Sequence, residues 1–450
     1  MLLNLFKKKP TPKPKPKQAP KREQSITAER QLSGTKQSNN NIKPVKISVK
    51  FLKRLMPLGQ LLTEEEIQAL KIRTENFTPG SALFIRGTEV DALVYLCKGT
   101  VYLETASGIG QEINEATLKA LFPLSSGEFH QFTAIAKSNV TVIYIPKTVL
   151  LLNRNPINPL NDPLLASDSL QNNPFFLRFY EHFQQHDLKI PSFPDVALKL
   201  RRSAMHDIGI AEVVKIVNMD PVIAAKLIQI VNSPIYRTLN PISNCHDAVN
   251  RLGLKNTMNL VTAISMKSLI KSDKPTIKKR IQENWTQSIK VSCISYTLAN
   301  LTRQTNPEEA LLAGLLHNIG TLPMLMFADQ LSENAFTLSE LDQCIKSLQG
   351  QIGTITLERW EFPDNLKAVP VKVSNWFDHS GETLQLSDIV LLAKFHFLLT
   401  QHEQRVELPL INILPAFQKL DAQLLTPEQS LQILQDAKQQ ISETMKFFMA

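Results

Sequence analysis

The sequence predicts a multidomain α+β chain, an N-terminal β-roll followed by an all-α helical bundle. Between residues 81 and 147, the short apolar runs ALFI, ALVYL, TVYLE and NVTVIYIPK are set apart by Pro79-Gly80, Gly87 and Gly99. That is the pattern of strands joined by tight turns. From about residue 179, apolar residues recur at helical spacing in IAEVVKIV, AAKLIQIV, TMNLVTAI, ISYTLANL and IVLLAKFHFLL. Glycine is scarce, 15 against 27 prolines in 450 residues, which suits helices ended by proline.

Charge marks off a further region. The formal net charge is +9, yet residues 1–50 hold 13 Lys/Arg against two Glu, and the other 400 hold 37 basic against 39 acidic groups. The basicity therefore belongs to a tail. The near-neutral body, with no basic-aromatic stripe, carries no nucleic-acid footprint. Residues 7–22, KKKPTPKPKPKQAPKR, alternate Lys with Pro and have no apolar face to bury, so residues 1–48 read as an extended, solvated arm. Two roles stay open for it: a flexible tether, or a weak contact with anionic membrane or nucleic acid. The start, MLLNLFKKKP, lacks the order of a signal peptide, and no run of about 18 apolar residues predicts a spanning helix. Cys97, Cys245, Cys293 and Cys344 show no CxxC spacing, which argues for reduced thiols and a cytoplasmic setting.

Local signals place the remaining boundaries. Thr63, with Glu66 three residues on, forms a capping box for LLTEEEIQALKI. The Asn/Pro/Asp-rich stretch 151–178 reads as a linker. Within a C-terminal extension, 406–450, Thr426 to Gln429 open a last helix. Its stripe of Leu434, Ala437, Ile441, Met445 and Phe448 is expected to pack on the same domain.

The string PG-x-x-LF-x-x-G-x-x-x-DALVYL-x-x-GTVYL resembles the first half of a cyclic-nucleotide-binding domain, over residues 50–150. The resemblance implies a phosphate-binding cassette, a Gly-Glu pair that opens a short helix followed by an Arg for the cyclic phosphate. Here Gly127-Glu128 runs directly into FHQFTAIAKSNVTV with no room for the helix, and His130 falls where the Arg would stand. A neutral imidazole cannot clamp a phosphate through two parallel hydrogen bonds. Loss of cyclic-nucleotide binding is expected, and no cofactor.

Residues 179–405 resemble the HDOD domain, a bacterial signalling output module related to HD-superfamily phosphohydrolases. The resemblance is carried by Pro191-Ser192-Phe193-Pro194, Asp220-Pro221, Asn232-Ser233, Ile242-Ser243 and Leu252-Gly253. Physically these are helix boundaries, with no nucleophile or ligand among them. The name-giving His-Asp pair is spelled by His206-Asp207-Ile208-Gly209, in a polar connection between helices. His317-Asn318-Ile319-Gly320 has the apolar helical surroundings that an HD site needs, but Asn replaces Asp.

The resemblance implies a divalent metal held by several His and Asp groups, which would generate hydroxide. Gln287 stands where the first His is expected, Gln349 at a later one, and Val373-Ser374 where paired histidines occur. The Ala-Asp position reads Ala393-Lys394, with Asp388 as the alternative one turn earlier. Of the ligand set only His317 clearly persists, and neutral amides are weak ligands. The expectation is a non-enzymatic regulatory scaffold. The resemblance implies protein partners in a signalling pathway, in the neighbourhood of cyclic di-GMP. The competing readings are a metal-dependent phosphohydrolase or phosphodiesterase, and a cyclic (di)nucleotide receptor.

Overall fold

A computed structural model describes residues 47–105, 110–150, 168–185, 190–204, 208–233, 236, 241–269, 272–332, 334–379, 381–401 and 408–420, with 438 and 442. The basic arm and the His206-Asp207 pair lie outside these residues, as does nearly all of the helix expected from Thr426.

Three short helices, α1 (Val49–Arg54), α2 (Leu58–Leu61) and α3 (Glu64–Ala69), precede the roll. The capping box of α3 is present. Thr63 Oγ1 accepts the Glu66 N–H at 3.3 Å, and the Glu66 carboxylate accepts the Thr63 N–H at 3.0 Å. Among the described residues seven strands follow: β1 (Arg73–Phe77), β2 (Ala82–Phe84), β3 (Ala92–Lys98), β4 (Thr100–Glu104), β5 (Gly110–Asn114), β6 (Thr133–Ala136) and β7 (Val140–Pro146). All pairings are antiparallel, in a three-stranded sheet ordered β1-β7-β3 and a four-stranded sheet ordered β2-β6-β4-β5. The turns fall where the sequence places them. Gly80, Gly87 and Gly99 have φ of 85°, 81° and 94°, a region that a Cβ penalises. The strands without a clear apolar signal, RTENF of β1 and GQEIN of β5, each lie at one edge of their sheets. There water meets one side of the chain, and polar residues are tolerated.

The expected linker is corrected from Asp168 onward. Here the chain forms α4 (Asp168–Gln171) and α5 (Pro174–Gln185), and Phe175, Phe176 and Phe179 are fully buried. The polar cluster before them is a cap. Asn173 Oδ1 accepts the Phe176 N–H at 2.9 Å, and its Nδ2 donates to the Glu340 carbonyl at 2.8 Å.

The bundle continues with α6 (Asp195–Ala204), α7 (Ile210–Val217), α8 (Pro221–Val231), α9 (Cys245–Leu252), α10 (Leu254–Ser265), α11 (Pro275–Thr302) and α12 (Pro307–Leu316). It is completed by α13 (Thr321–Gln330), α14 (Leu338–Arg359), α15 (Asp364–Lys367), α16 (Val369–Val373), α17 (Leu386–Leu399) and α18 (Pro415–Gln418). Against the sequence expectation, the stretch Pro307–Gln330 is long and apolar enough to cross a membrane by composition. However, 89% of its most apolar window is buried inside the bundle, so α12 and α13 are core helices here.

The residues that carry the HDOD resemblance sit at helix boundaries and turns. Asp220 Oδ1 caps α8 by accepting the Val222 and Ile223 N–H groups, with Pro221 at the first helical position. Asn232 closes α8 and pins the following loop: Nδ2 donates to the Ile242 carbonyl and Oδ1 accepts the Ile242 N–H, both at 2.7 Å. Ser233 beside it is buried. Gly253, at φ 78°, lets α9 turn at once into α10. Trp360 Nε1 donates to the Pro191 carbonyl at 3.0 Å, and Pro194 accepts the Leu198 N–H in the first turn of α6.

Candidate functional site

Two places could have carried chemistry, the His317–Gly320 turn and the roll's Ser125–His130 loop. The turn joins α12 to α13, two helices buried in the bundle. Glycines let it sit deep. A Cβ on Gly320 would lie 2.1 Å from the Gln349 carbonyl oxygen and 2.4 Å from the Gly353 nitrogen, so α13 starts directly against α14. A Cβ on Gly314 would lie 2.5 Å from Ser292 Cα, so α12 presses equally closely on α11. The motif's glycine is thus a packing residue.

His317 is 3% exposed. Its Nδ1 lies 2.7 Å from the Gly314 carbonyl, an acceptor, so Nδ1 carries the proton and Nε2 the lone pair. Nε2 is buried with no hydrogen-bond partner. Burial, and then the nearby Lys394 charge, push the imidazole down to about 3 against the pull of the Gly314 carbonyl, so it is neutral at physiological pH. Lys394 sits on α17, its ammonium donating to the Val373 carbonyl at 3.2 Å and lying 5.3 Å from the Trp376 ring centre. Burial lowers it to about 8.

Asn318 faces the other way. Its Oδ1 accepts the Ser288 hydroxyl at 2.6 Å, and its Nδ2 donates to Asn284 Oδ1 at 2.8 Å. Both partners lie on one face of α11, one turn apart. Gln287, the position singled out by the sequence, is half-buried between them in sequence but does not supply the contact. Gln349 does reach the turn, with Thr321 Oγ1 donating to its Oε1 at 3.4 Å. A cavity of about 30 Å³ opens beside this network, lined by Asn284, Trp285, Ser288 and Asn318 with Leu315 and Ile319. It has room for about one water. Asn284 and Ser288 were legible only as a pair of small polar residues at helical spacing.

These residues do not fit a divalent cation. The surviving imidazole lone pair faces the field of an ammonium, and the Asn318 amide is committed at both ends to neutral partners. Among the described residues, no three His, Cys, Asp or Glu side chains converge. Asp388, the alternative ligand, is paired with Lys419 at 2.9 Å in a buried ion pair.

The roll's loop is also closed. Gly127-Glu128 opens no helix. His130 is 6% exposed, stacks on Phe84 with ring centres 4.0 Å apart, and lies 2.8 Å from Ser125 Oγ through Nδ1. Burial lowers its pKa, against a smaller opposing pull from Asp91, which keeps the ring from serving as a cation for phosphate. The Gly127 carbonyl accepts the Lys147 ammonium at 2.8 Å, and the Glu128 carbonyl accepts the Val90 N–H at 2.8 Å.

With helix boundaries, the buried turn and its neighbours in place, residues 190–372 match the family model of the HDOD domain. Part of the bundle thus matches the HDOD domain. A curated relative, an uncharacterized protein of Treponema pallidum (strain Nichols), is 23% identical over 189 residues, 39% of this chain and 36% of the relative. The chain thus spans about a third of that relative's length. Among solved structures, a proposed metal-dependent phosphohydrolase from Shewanella amazonensis SB2B is similar at 21% identity. It covers 63% of this chain and 98% of its own, with a TM-score of 0.48. A cyclic nucleotide-binding-like protein from Brucella abortus is similar at 18% identity, covering 23% of this chain and 93% of its own, with a TM-score of 0.19.

Proposed function

We propose that this protein is a non-enzymatic regulatory scaffold of bacterial signal transduction, cytoplasmic, acting through protein contacts of its HDOD domain. The observation that carries the reading is the Asn284–Asn318–Ser288 network. At the place where the resemblance implies a metal-binding carboxylate, the chain has built a neutral hydrogen-bonded lock. Lys394 strengthens the case, because a fixed positive charge near His317 opposes a second cation there. By the same resemblance, the pathway is one in the neighbourhood of cyclic di-GMP, and the roll is a structural module without a cyclic-nucleotide ligand.

The test is elemental analysis and phosphodiesterase assay of the full chain, purified with and without added Mn, Fe or Zn. The scaffold reading expects substoichiometric metal and no turnover. Stoichiometric metal together with turnover that disappears in His317→Ala overturns it. Calorimetry with cyclic AMP, cyclic GMP and cyclic di-GMP examines the receptor reading, which stands only if one of the three binds. A pull-down with the full chain, repeated without residues 1–45, identifies the partners and shows whether the basic arm contributes to capturing them.

A further inference from the structure

Residues 408–420, LPLINILPAFQKL, belong to two cores at once. Leu408, Leu414, Ala416 and Leu420 pack within the bundle, whereas Leu410 and Ile413 are buried in the core of the roll. Phe377 of the bundle joins them there, with its ring centre 6.2 Å from that of Phe122. The contact centres on the cassette loop. The Ser126 hydroxyl, itself buried, donates to the Ile413 carbonyl across 287 residues of sequence. The Gln418 side chain lies over Gly127, where an added Cβ would come within 2.9 Å of its Nε2. Gln418 is held in turn by donating to the Asn412 carbonyl at 3.1 Å, and its neighbour Lys419 is paired with Asp388 of α17.

We infer that residues 408–420 are an internal peptide ligand of the roll: they seat on the Ser125–Glu128 loop and clasp it to α17. The loop to which the cyclic-nucleotide-binding resemblance assigns a phosphate here faces the chain's own backbone carbonyl. The surface fits an apolar, proline-bounded peptide that presents a carbonyl to Ser126, and the roll and bundle are coupled through it.

Hydrogen exchange on the full chain tests this with variants on the two sides of the contact. Gly127→Trp displaces Gln418 and is expected to speed exchange at residues 410–418 at least about tenfold. Ile413→Ala is expected to do the same at residues 125–130. In both cases, exchange in α11 and α12 should stay unchanged. Peptide 408–420 added in trans to the Ile413→Ala variant should restore protection at 125–130. The clasp is overturned if either variant acts only on its own segment, if acceleration spreads through α11 and α12, or if the peptide restores nothing. Should a variant not fold, Ser126→Ala and Gln418→Ala remove single contacts, and the same reciprocal pattern is required of them.

Discussion

Lys419 Nζ lies 2.9 Å from Asp388 Oδ2 and 3.1 Å from Oδ1, and the two side chains are only 6% and 2% exposed. Asp388 Oδ2 also accepts the Gln385 N–H at 2.7 Å, so the carboxylate caps α17 and anchors α18 together. Burial raises the Asp388 carboxyl, while that N–H and the ammonium hold it down, so the pair survives only as a pair.

Asp388→Asn strands a buried ammonium. It is expected to destabilise the chain by about 3–5 kcal/mol in denaturant unfolding. Replacing both partners at once, Asp388→Asn with Lys419→Met, should cost less, because no unpaired buried charge remains and the acceptor for the Gln385 N–H is kept. Equal losses in the two variants would mean that the ion pair is not the source of the effect.

Acid should weaken the bundle well above the carboxylate range. His317 is lowered to about 3, chiefly by burial, and His396, which donates to the Leu392 carbonyl through Nδ1 at 2.7 Å, is lowered by the same cause. Unfolded histidines take up protons near their ordinary value of about 6.5, so the unfolded state binds more protons below it. Stability from His317 is therefore complete above that value and lost as the pH falls from it toward about 3, by about 1.4 kcal/mol per pH unit, and His396 adds a loss in the same direction. Denaturant midpoints measured from pH 7 to 4 should fall, and His317→Gln should flatten the slope.

Asn318→Asp restores the motif's letters without its chemistry. One carboxylate oxygen would face Asn284 Oδ1, now a hydrogen-bond partner of the Asn318 amide. A loss of about 1–3 kcal/mol is expected, with no gain in bound metal on elemental analysis. Stoichiometric metal in this variant would show that a single substitution separates the turn from an HD site.

Gly320→Ala places a methyl 2.1 Å from a backbone carbonyl and 2.4 Å from a backbone nitrogen, atoms that cannot rotate away. The expected cost is at least about 1–3 kcal/mol, read as a lowered thermal midpoint. Gly209→Ala, with nothing within 4 Å of the added carbon, is the control and should be close to neutral.

Much of the architecture was legible because its causes are local. A positive-φ turn needs Gly at 80, 87 and 99, a helix start needs Asp220 before Pro221, and an amphipathic stripe shows in the spacing of its apolar residues. One local signal had two meanings: the polar run before Phe175 looked like a linker but caps a buried helix. Pro307–Gln330, from which no spanning helix was expected, lies inside the bundle. The candidate site was legible in what it lacks, the carboxylate at 318, but not in what replaced it. Asn284 and Ser288 matter only because α12 packs on α11.

By itself, the sequence determined the roll's turns, the succession of helices, and the neutral residues at the expected ligand positions, since each depends on neighbours within a few residues. Only the tertiary structure decided that Asn318 is locked by α11, that Lys394 lends its charge to His317, and that Ile413 reaches Ser126. Those contacts join residues 30, 77 and 287 positions apart. Their energy comes from burial and pairing that exist only once the chain has closed on itself.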